Sequence, residues 1–153
     1  MPWAMAGIRH KTPALGSAQW GTDVSQIDGV ESEFRLHVVD ADPVTRILLT
    51  EILGDRGFDV LCLSSLAAYE ALDHEAMTLG ALIVDGDTGG GITGFEVARY
   101  ARRLNPAVPV IFLSNAHRDS VEKFGVPGAA HVTKPFDPDL LIMILRELAA
   151  DRR

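Results

Sequence analysis

The run Ala81-Leu82-Ile83-Val84-Asp85 consists of four apolar residues closed by a carboxylate. A second run of the same kind, Leu36-His37-Val38-Val39-Asp40, lies upstream, and Val132-Thr133-Lys134-Pro135-Phe136 lies downstream. Short apolar runs without a solvent-facing alternation fit strands of a parallel sheet covered on both faces. All strands of such a sheet open at one edge, where ligands of open α/β folds bind. Three strand tips would then bring two carboxylates, Asp40 and Asp85, and one ammonium, Lys134, to one place.

Outward from these runs the sequence alternates strand and helix. Strands are expected at Arg35–Val39, Phe58–Leu63, Ala81–Val84, Val108–Leu113 and Ala130–Thr133. Helices are expected at Pro43–Asp55, Leu66–Met77, Phe95–Leu104 and Pro138–Ala150, with a weak helical stretch around Asp119–Phe124. Asp42-Pro43 and Asp137-Pro138 read as N-caps followed by proline at the first helical position, and Gly57 ends the first helix. Strand-helix alternation of this kind predicts a three-layer α/β/α sandwich around a five-stranded parallel sheet.

The chain has 153 residues, 47% of them hydrophobic, which suits one compact domain with a modest appendage. Its charge of −7, from 21 acidic and 14 basic residues, comes without a basic cluster and argues against nucleic-acid binding. No apolar segment reaches the length of a membrane span and the N-terminus lacks a signal-peptide core, so a soluble, cytoplasmic protein is expected. The single Cys62 excludes an intramolecular disulfide and reads as core packing.

These ordered motifs, from residue 34 to about residue 150, resemble the receiver domain of two-component response regulators. The motifs are Val38-Val39-Asp40-Ala41-Asp42-Pro43, Leu82-Ile83-Val84-Asp85 followed by Gly94-Phe95-Glu96, Phe112-Leu113-Ser114-Asn115, and Lys134-Pro135-Phe136. The resemblance implies the flavodoxin-like, doubly wound fold. It implies phosphoryl transfer to Asp85 from a histidine kinase or histidine phosphotransfer protein, with Lys134 and Ser114 assisting. It also implies a Mg²⁺ ion held by Asp40, Asp85 and the backbone carbonyl of Asp87, because a carboxylate attacking an anionic phosphoryl group needs a divalent cation to offset their repulsion. The implied role is a non-enzymatic switch that changes binding to a downstream protein partner. Because the chain ends with its last helix, a stand-alone receiver without an output domain is expected.

Several positions depart from the family pattern. Ala41 stands where a second acid usually follows Asp40, which weakens the metal site. Asp42 is a substitute ligand or, as its place before Pro43 suggests, a helix cap. The loop Gly86-Asp-Thr-Gly-Gly-Gly-Ile-Thr-Gly94 lacks the usual Met-Pro and is longer, yet it has neither Walker spacing nor the Lys-Ser/Thr of a nucleotide loop. These departures motivate the alternative of a pseudo-receiver, a phosphorylation-independent interaction module. An α/β enzyme needs a nucleophile-base pair or phosphate loop that the sequence does not show.

Ser114 and His131 occupy the switch positions, the latter in place of an aromatic residue, which suggests pH sensitivity against the plainer reading of a surface histidine. Gly125, Pro127 and Gly128 cut short the helical stretch that precedes. The last helix carries more apolar residues than one buried stripe needs, so it is expected to form a homodimer or partner contact. Residues 1–33 show no clear period and read as an extension, with residues 34–153 forming the receiver. Both tryptophans, Trp3 and Trp20, lie in the extension beside Met5, Ile8 and Leu15, poor company for a solvated tail, so docking on the core competes with flexibility.

Overall fold

The computed structural model of the protein describes residues 8–10, 34–86, 92–115 and 123–151. Its elements, in chain order, are β1 (Ile8–His10), β2 (Arg35–Val39), α1 (Pro43–Asp55), β3 (Asp59–Leu63), α2 (Ser65–Glu75), β4 (Ala81–Val84), α3 (Gly94–Leu104), β5 (Val110–Ser114), β6 (Ala130–Thr133) and α4 (Pro138–Asp151). The sheet order is β1-β3-β2-β4-β5-β6. Strands β2 to β6 pair in parallel, as the apolar runs predict. The strand order reverses at β2, so the crevice between the carboxyl ends of β2 and β4 is the switch point where this class of sheet binds ligands.

One strand was not expected. Ile8–His10 of the extension pairs antiparallel with β3 at the sheet edge, with Ile8 opposite Cys62 and His10 opposite Val60. Three residues at an edge carry no periodicity that a sequence can display, whereas the open edge of β3 offers unpaired N–H and C=O groups to any nearby segment. Of the expected fourth helical stretch, only Lys123 and Phe124 lie among the described residues, and both are helical.

Caps set the helix starts. The Asp42 carboxylate accepts from the Val44 N–H at 3.1 Å and from the Thr45 hydroxyl at 2.8 Å, with Pro43 opening α1. Thr93 accepts from the Glu96 N–H at 3.2 Å ahead of α3. Two apolar layers then cover the sheet. Leu49 and Leu53 of α1 with Leu141, Ile142 and Leu145 of α4 fill one face. Ala68 and Leu72 of α2 with Val97, Ala98 and Ala101 of α3 fill the other. Cys62 is fully buried in the first layer, and burial pushes its thiol pKa up, in keeping with a packing role.

A charged network ties α2 to the amino ends of β2 and β3. Arg35 donates to one Asp59 oxygen through Nε at 2.9 Å and Nη2 at 2.7 Å, and to Glu75 Oε1 through Nη1 at 3.0 Å. His37, fully buried, places Nε2 3.4 Å from the same Glu75 oxygen. The hydrogen bond from His37 is the main reason that the Glu75 carboxyl falls to about 2 from an ordinary 4.5; burial opposes it, and the charges of His37 and Arg35 add to the lowering. Because the folded pKa is depressed, this stability is fully present above pH 4.5 and is lost as pH falls from there towards 2. Glu75→Gln should lower stability at neutral pH by about 1–2 kcal/mol and flatten the acid limb of a urea-midpoint profile in that window. An unchanged acid limb would show that other carboxylates carry it.

Candidate functional site

The three tips meet at the carboxyl edge of the sheet. Asp40 follows β2, Asp85 follows β4 and Lys134 follows β6, and backbone bonds fix two of these tips: Asp85 N–H to Val39 O at 3.0 Å and Asp40 N–H to Leu63 O at 3.4 Å. Lys134 Nζ reaches Asp40 Oδ2 at 2.8 Å and Asp85 Oδ2 at 3.1 Å, bridging carboxylates from residues far apart in the chain. The Asp40 side chain is 4% exposed, that of Asp85 14% and that of Lys134 18%, so Asp85 and Lys134 remain within reach of a ligand while Asp40 forms the floor.

Burial alone would lower the lysine pKa, yet the hydrogen bonds and charges of Asp40 and Asp85 more than offset it and leave the ammonium above its ordinary value. Lys134 is therefore a fixed cation at this edge. The other Asp40 oxygen, Oδ1, accepts from the Asp42 backbone N–H at 2.8 Å. Asp42 itself turns away: its carboxylate holds the first turn of α1, and its hydrogen bond from Thr45, followed by that from Val44, lowers its pKa. Its carboxylate thus serves as the helix cap in this structure.

Sequence reasoning missed two contributions, that of Arg46 and the contact made by Gly94 of the motif. Arg46, six residues after Asp40, donates from Nη1 to the Asp40 carbonyl at 2.5 Å and braces the acidic turn from α1. Nothing distinguishes this arginine in the sequence from any other on an amphipathic helix. Gly94 is the second: a Cβ built there would stand 1.8 Å from the Asp85 carbonyl oxygen, so α3 begins against the backbone of the candidate phosphoacceptor. Gly86 is similarly closed in, by the Phe95 ring at 2.9 Å. Gly94→Ala must shift either α3 or the Asp85 tip, and neither is a flexible side-chain end. A loss of about 2–3 kcal/mol in stability is expected, within the range for overpacking a filled site. Denaturant midpoints of the two proteins check it, and equal midpoints would mean that the close approach relaxes freely.

Ser114 ends β5, next to Thr133 in the ladder with β6, which sets it at the same edge. Asp87 lies outside the described residues. His131 pairs in register with Phe112. It is half-buried, and its Nε2 is enclosed with no hydrogen-bond partner among the described residues. The short segment ahead of β6 is stapled to α3 by Arg99, which donates to Phe124 O at 2.6 Å, and by Arg102, which donates to Pro127 O at 2.7 Å. These two arginines also line, with Tyr69, Glu96, Arg103 and Val126, a groove of about 460 Å³ that none of the three edge residues borders.

On α4, Ile144 and Leu148 pack against the core, which leaves Leu140 and Met143, 41% and 52% exposed, as its outward apolar residues. The surplus apolar surface is thus smaller than the sequence suggests. No helix among the described residues is long and apolar enough to cross a membrane.

For a divalent cation the described residues offer the Asp40 and Asp85 carboxylates. Mg²⁺ binds through one or two carboxylates, completing its shell with water and phosphate oxygens, so this pair meets the minimum that the ion needs. Among the described residues no group of three or more acidic, histidine or cysteine side chains surrounds it.

Comparison with known proteins accords with this geometry. Residues 36–146 match the model of the response regulator receiver domain. The transcriptional regulatory protein AruR of Pseudomonas aeruginosa is 31% identical over 119 residues, covering 74% of this chain and 48% of AruR, so the chain spans about half the length of that relative. A response regulator receiver protein from Sinorhizobium medicae superposes with a TM-score of 0.72 at 26% identity, over 81% of this chain and 99% of that one. The chemotaxis response regulator CheY4 of Vibrio cholerae shares the fold at 21% identity, with a TM-score of 0.66 over 76% of this chain and 99% of its own. With matching motifs in order and the family model covering the sheet from β2 into α4, this chain belongs to the response regulator receiver domain family.

Proposed function

We propose that this receiver accepts a phosphoryl group on Asp85 from a phosphohistidine donor and thereby switches its binding to a downstream protein. The observation that carries the reading is the pair of bonds from Lys134 to Asp40 and Asp85 at the switch-point edge. In the transfer, an Asp85 oxygen forms a bond to phosphorus as the donor's bond to phosphorus breaks, and the donor leaves with that electron pair. Lys134 Nζ, already beside Asp85, is placed to follow the charge onto the phosphoryl oxygens. Arg46 and the Asp42 N–H hold Asp40 in place as Lys134 shifts. Mg²⁺, bound by Asp40 and Asp85 with the Asp87 carbonyl as a further donor, would neutralise charge between carboxylate and phosphoryl oxygens. Ser114 would donate a hydrogen bond once the group has arrived, and His131 would respond in the adjoining ladder. The exposed Leu140 and Met143 are a small surface for a partner or a second copy.

Intact mass after incubation with acetyl phosphate, with and without Mg²⁺, tests the reading. A metal-dependent gain of one phosphoryl group is expected. No gain, together with an unperturbed protein in beryllium fluoride, would overturn it in favour of the pseudo-receiver.

A further inference from the structure

The groove beside α3 gathers positive charge on an acidic chain. Arg99, Arg102 and Arg103 line it with Glu96, with Tyr69 of α2 and with Val126. Three guanidiniums against one carboxylate leave a local charge of +2 on a chain whose net charge is −7. Among the described residues none of these four charged side chains makes an ion pair. The volume of about 460 Å³ lies in the range that holds small organic ligands.

The guanidiniums are held before any ligand arrives. Arg99 donates from Nη1 to Phe124 O at 2.6 Å, and Arg102 donates from Nη1 to Pro127 O and from Nε to Val108 O, both at 2.7 Å. Arg103 lies over the Tyr100 ring, 5.4 Å from its centre, and Tyr100 meets Tyr69 edge-on at 4.8 Å. These contacts use only part of each fork. Nη2 of Arg99, Nη2 of Arg102 and the donor edge of Arg103 make no hydrogen bond among the described residues. A guanidinium is a planar, always-charged fork suited to phosphate oxygens, and one anchored through its other nitrogens loses little freedom on binding. Arg102 is half-buried, and burial lowers its pKa: its charge is partly stripped of water with no anion in exchange. The charges converge on Tyr69, whose hydroxyl pKa is raised by burial and by Glu96 while Arg103 and Arg99 oppose the rise.

We propose that this groove is a binding site for a small phosphate-based polyanion, held by Arg99, Arg102 and Arg103 with Tyr69 as its aromatic wall. Arg99 and Arg103 stand about one turn apart, roughly 6 Å along the helix axis, so their forks bear on one compact anion. An acidic protein segment, extended at about 3.3 Å per residue with alternate side chains turned away, presents its charges more sparsely. The site is separate from the candidate phosphoacceptor edge and does not depend on the function proposed for it. A bound anion also fixes the two arginines that hold Phe124 and Pro127, and so clamps the segment ahead of β6 onto α3. A small ligand thereby gains a hold on the strand that carries His131 and leads to Lys134.

The test titrates the full chain with sodium pyrophosphate and, separately, with ADP, in metal-free buffer of constant ionic strength, and follows amide and arginine Nε–H resonances. Saturable shifts centred on Arg99, Arg102, Arg103 and Val126 are expected, with a Kd of about 0.1–1 mM. Arg103→Gln removes a fork that hydrogen-bonds no other described residue and should weaken binding about tenfold. Glu96→Gln should tighten it about two- to threefold by removing a like charge. Arg56→Gln makes the same charge change as Arg103→Gln in an exposed pair with Asp139 of α4, in the other helical layer, and should leave affinity unaltered. Tighter binding of ADP than of pyrophosphate assigns the site to a ring-bearing ester, and equal affinity assigns it to inorganic phosphate. Unsaturable shifts spread over the surface, or equal affinity of Arg103→Gln and the parent, would overturn the proposal. Saturable binding of a polyglutamate peptide where neither phosphate probe binds would also overturn it and assign the groove to an acidic protein segment. Asp85→Asn should bind both probes as the parent does, so a failure here is separable from a failure of acetyl phosphate labelling.

Discussion

Asp85→Asn should abolish the metal-dependent phosphoryl gain and yet leave the fold nearly as stable as before. An amide oxygen is a poor nucleophile and a poor ligand for a hard cation, so both attack and charge neutralisation are lost together. Labelling should fall to the background of unreacted protein in intact-mass spectra. Stability should change by less than about 1 kcal/mol, because Lys134 keeps its 2.8 Å bond to Asp40 and an asparagine oxygen can still accept the 3.1 Å bond. Removal of one of two like charges beside the lysine also relieves repulsion. Residual metal-dependent labelling in this variant would place the acceptor elsewhere, and a collapse in stability would mark Asp85 as a structural residue first.

Lys134→Met should produce the opposite balance. The substitution keeps much of the stem and removes the positive charge that bridges Asp40 and Asp85, with the Asp40 side chain 4% exposed. Leaving a buried carboxylate unpaired is among the larger single-residue penalties, and with the partial exposure of Asp85 a loss of about 2–3 kcal/mol is expected. Added Mg²⁺ should recover part of that loss, since the vacated charge is one that a cation between the carboxylates can replace. The lysine pKa is raised in the fold, so its contribution is fully present below its ordinary 10.5 and is lost as pH rises through the folded value. The alkaline limb of the stability profile should therefore shrink in Lys134→Met. Labelling by acetyl phosphate should drop about tenfold or more, from loss of a preorganised cation at the phosphoryl oxygens. Equal stability with and without Lys134 would show that water already screens the two carboxylates.

The fold was legible because the signals are local and mutually consistent. Asp42 could be read as a cap because Pro43 admits few other roles, and its carboxylate indeed accepts from Val44 and Thr45. The runs ending at Val39 and Val84 are strands buried throughout after Arg35, which is why their residues show no alternation. The convergence of Asp40, Asp85 and Lys134 followed from parallel topology, since every tip of such a sheet opens on one side. Less was visible wherever a residue matters through what another segment brings to it. Gly94 looks like an ordinary helix opener until the Asp85 carbonyl is set against it. Ile144 and Leu148 look surplus until the core closes over them. Val44, Ile47 and Leu48 look like ordinary members of an apolar helix, and only the direction that α1 faces leaves them in solvent.

By itself the sequence determined the alternation of strands and helices, the helix caps, and the two acids and the lysine at strand ends, because these depend on residues within a few positions of one another and on the shared polarity of parallel strands. Only the tertiary structure decided that Ile8–His10 joins the sheet, that Arg46 braces Asp40, and that one lysine nitrogen lies within hydrogen-bond reach of both carboxylates. Such contacts are set by sub-ångström differences in how helices settle on a twisted sheet, and a hydrogen bond exists or fails over that distance.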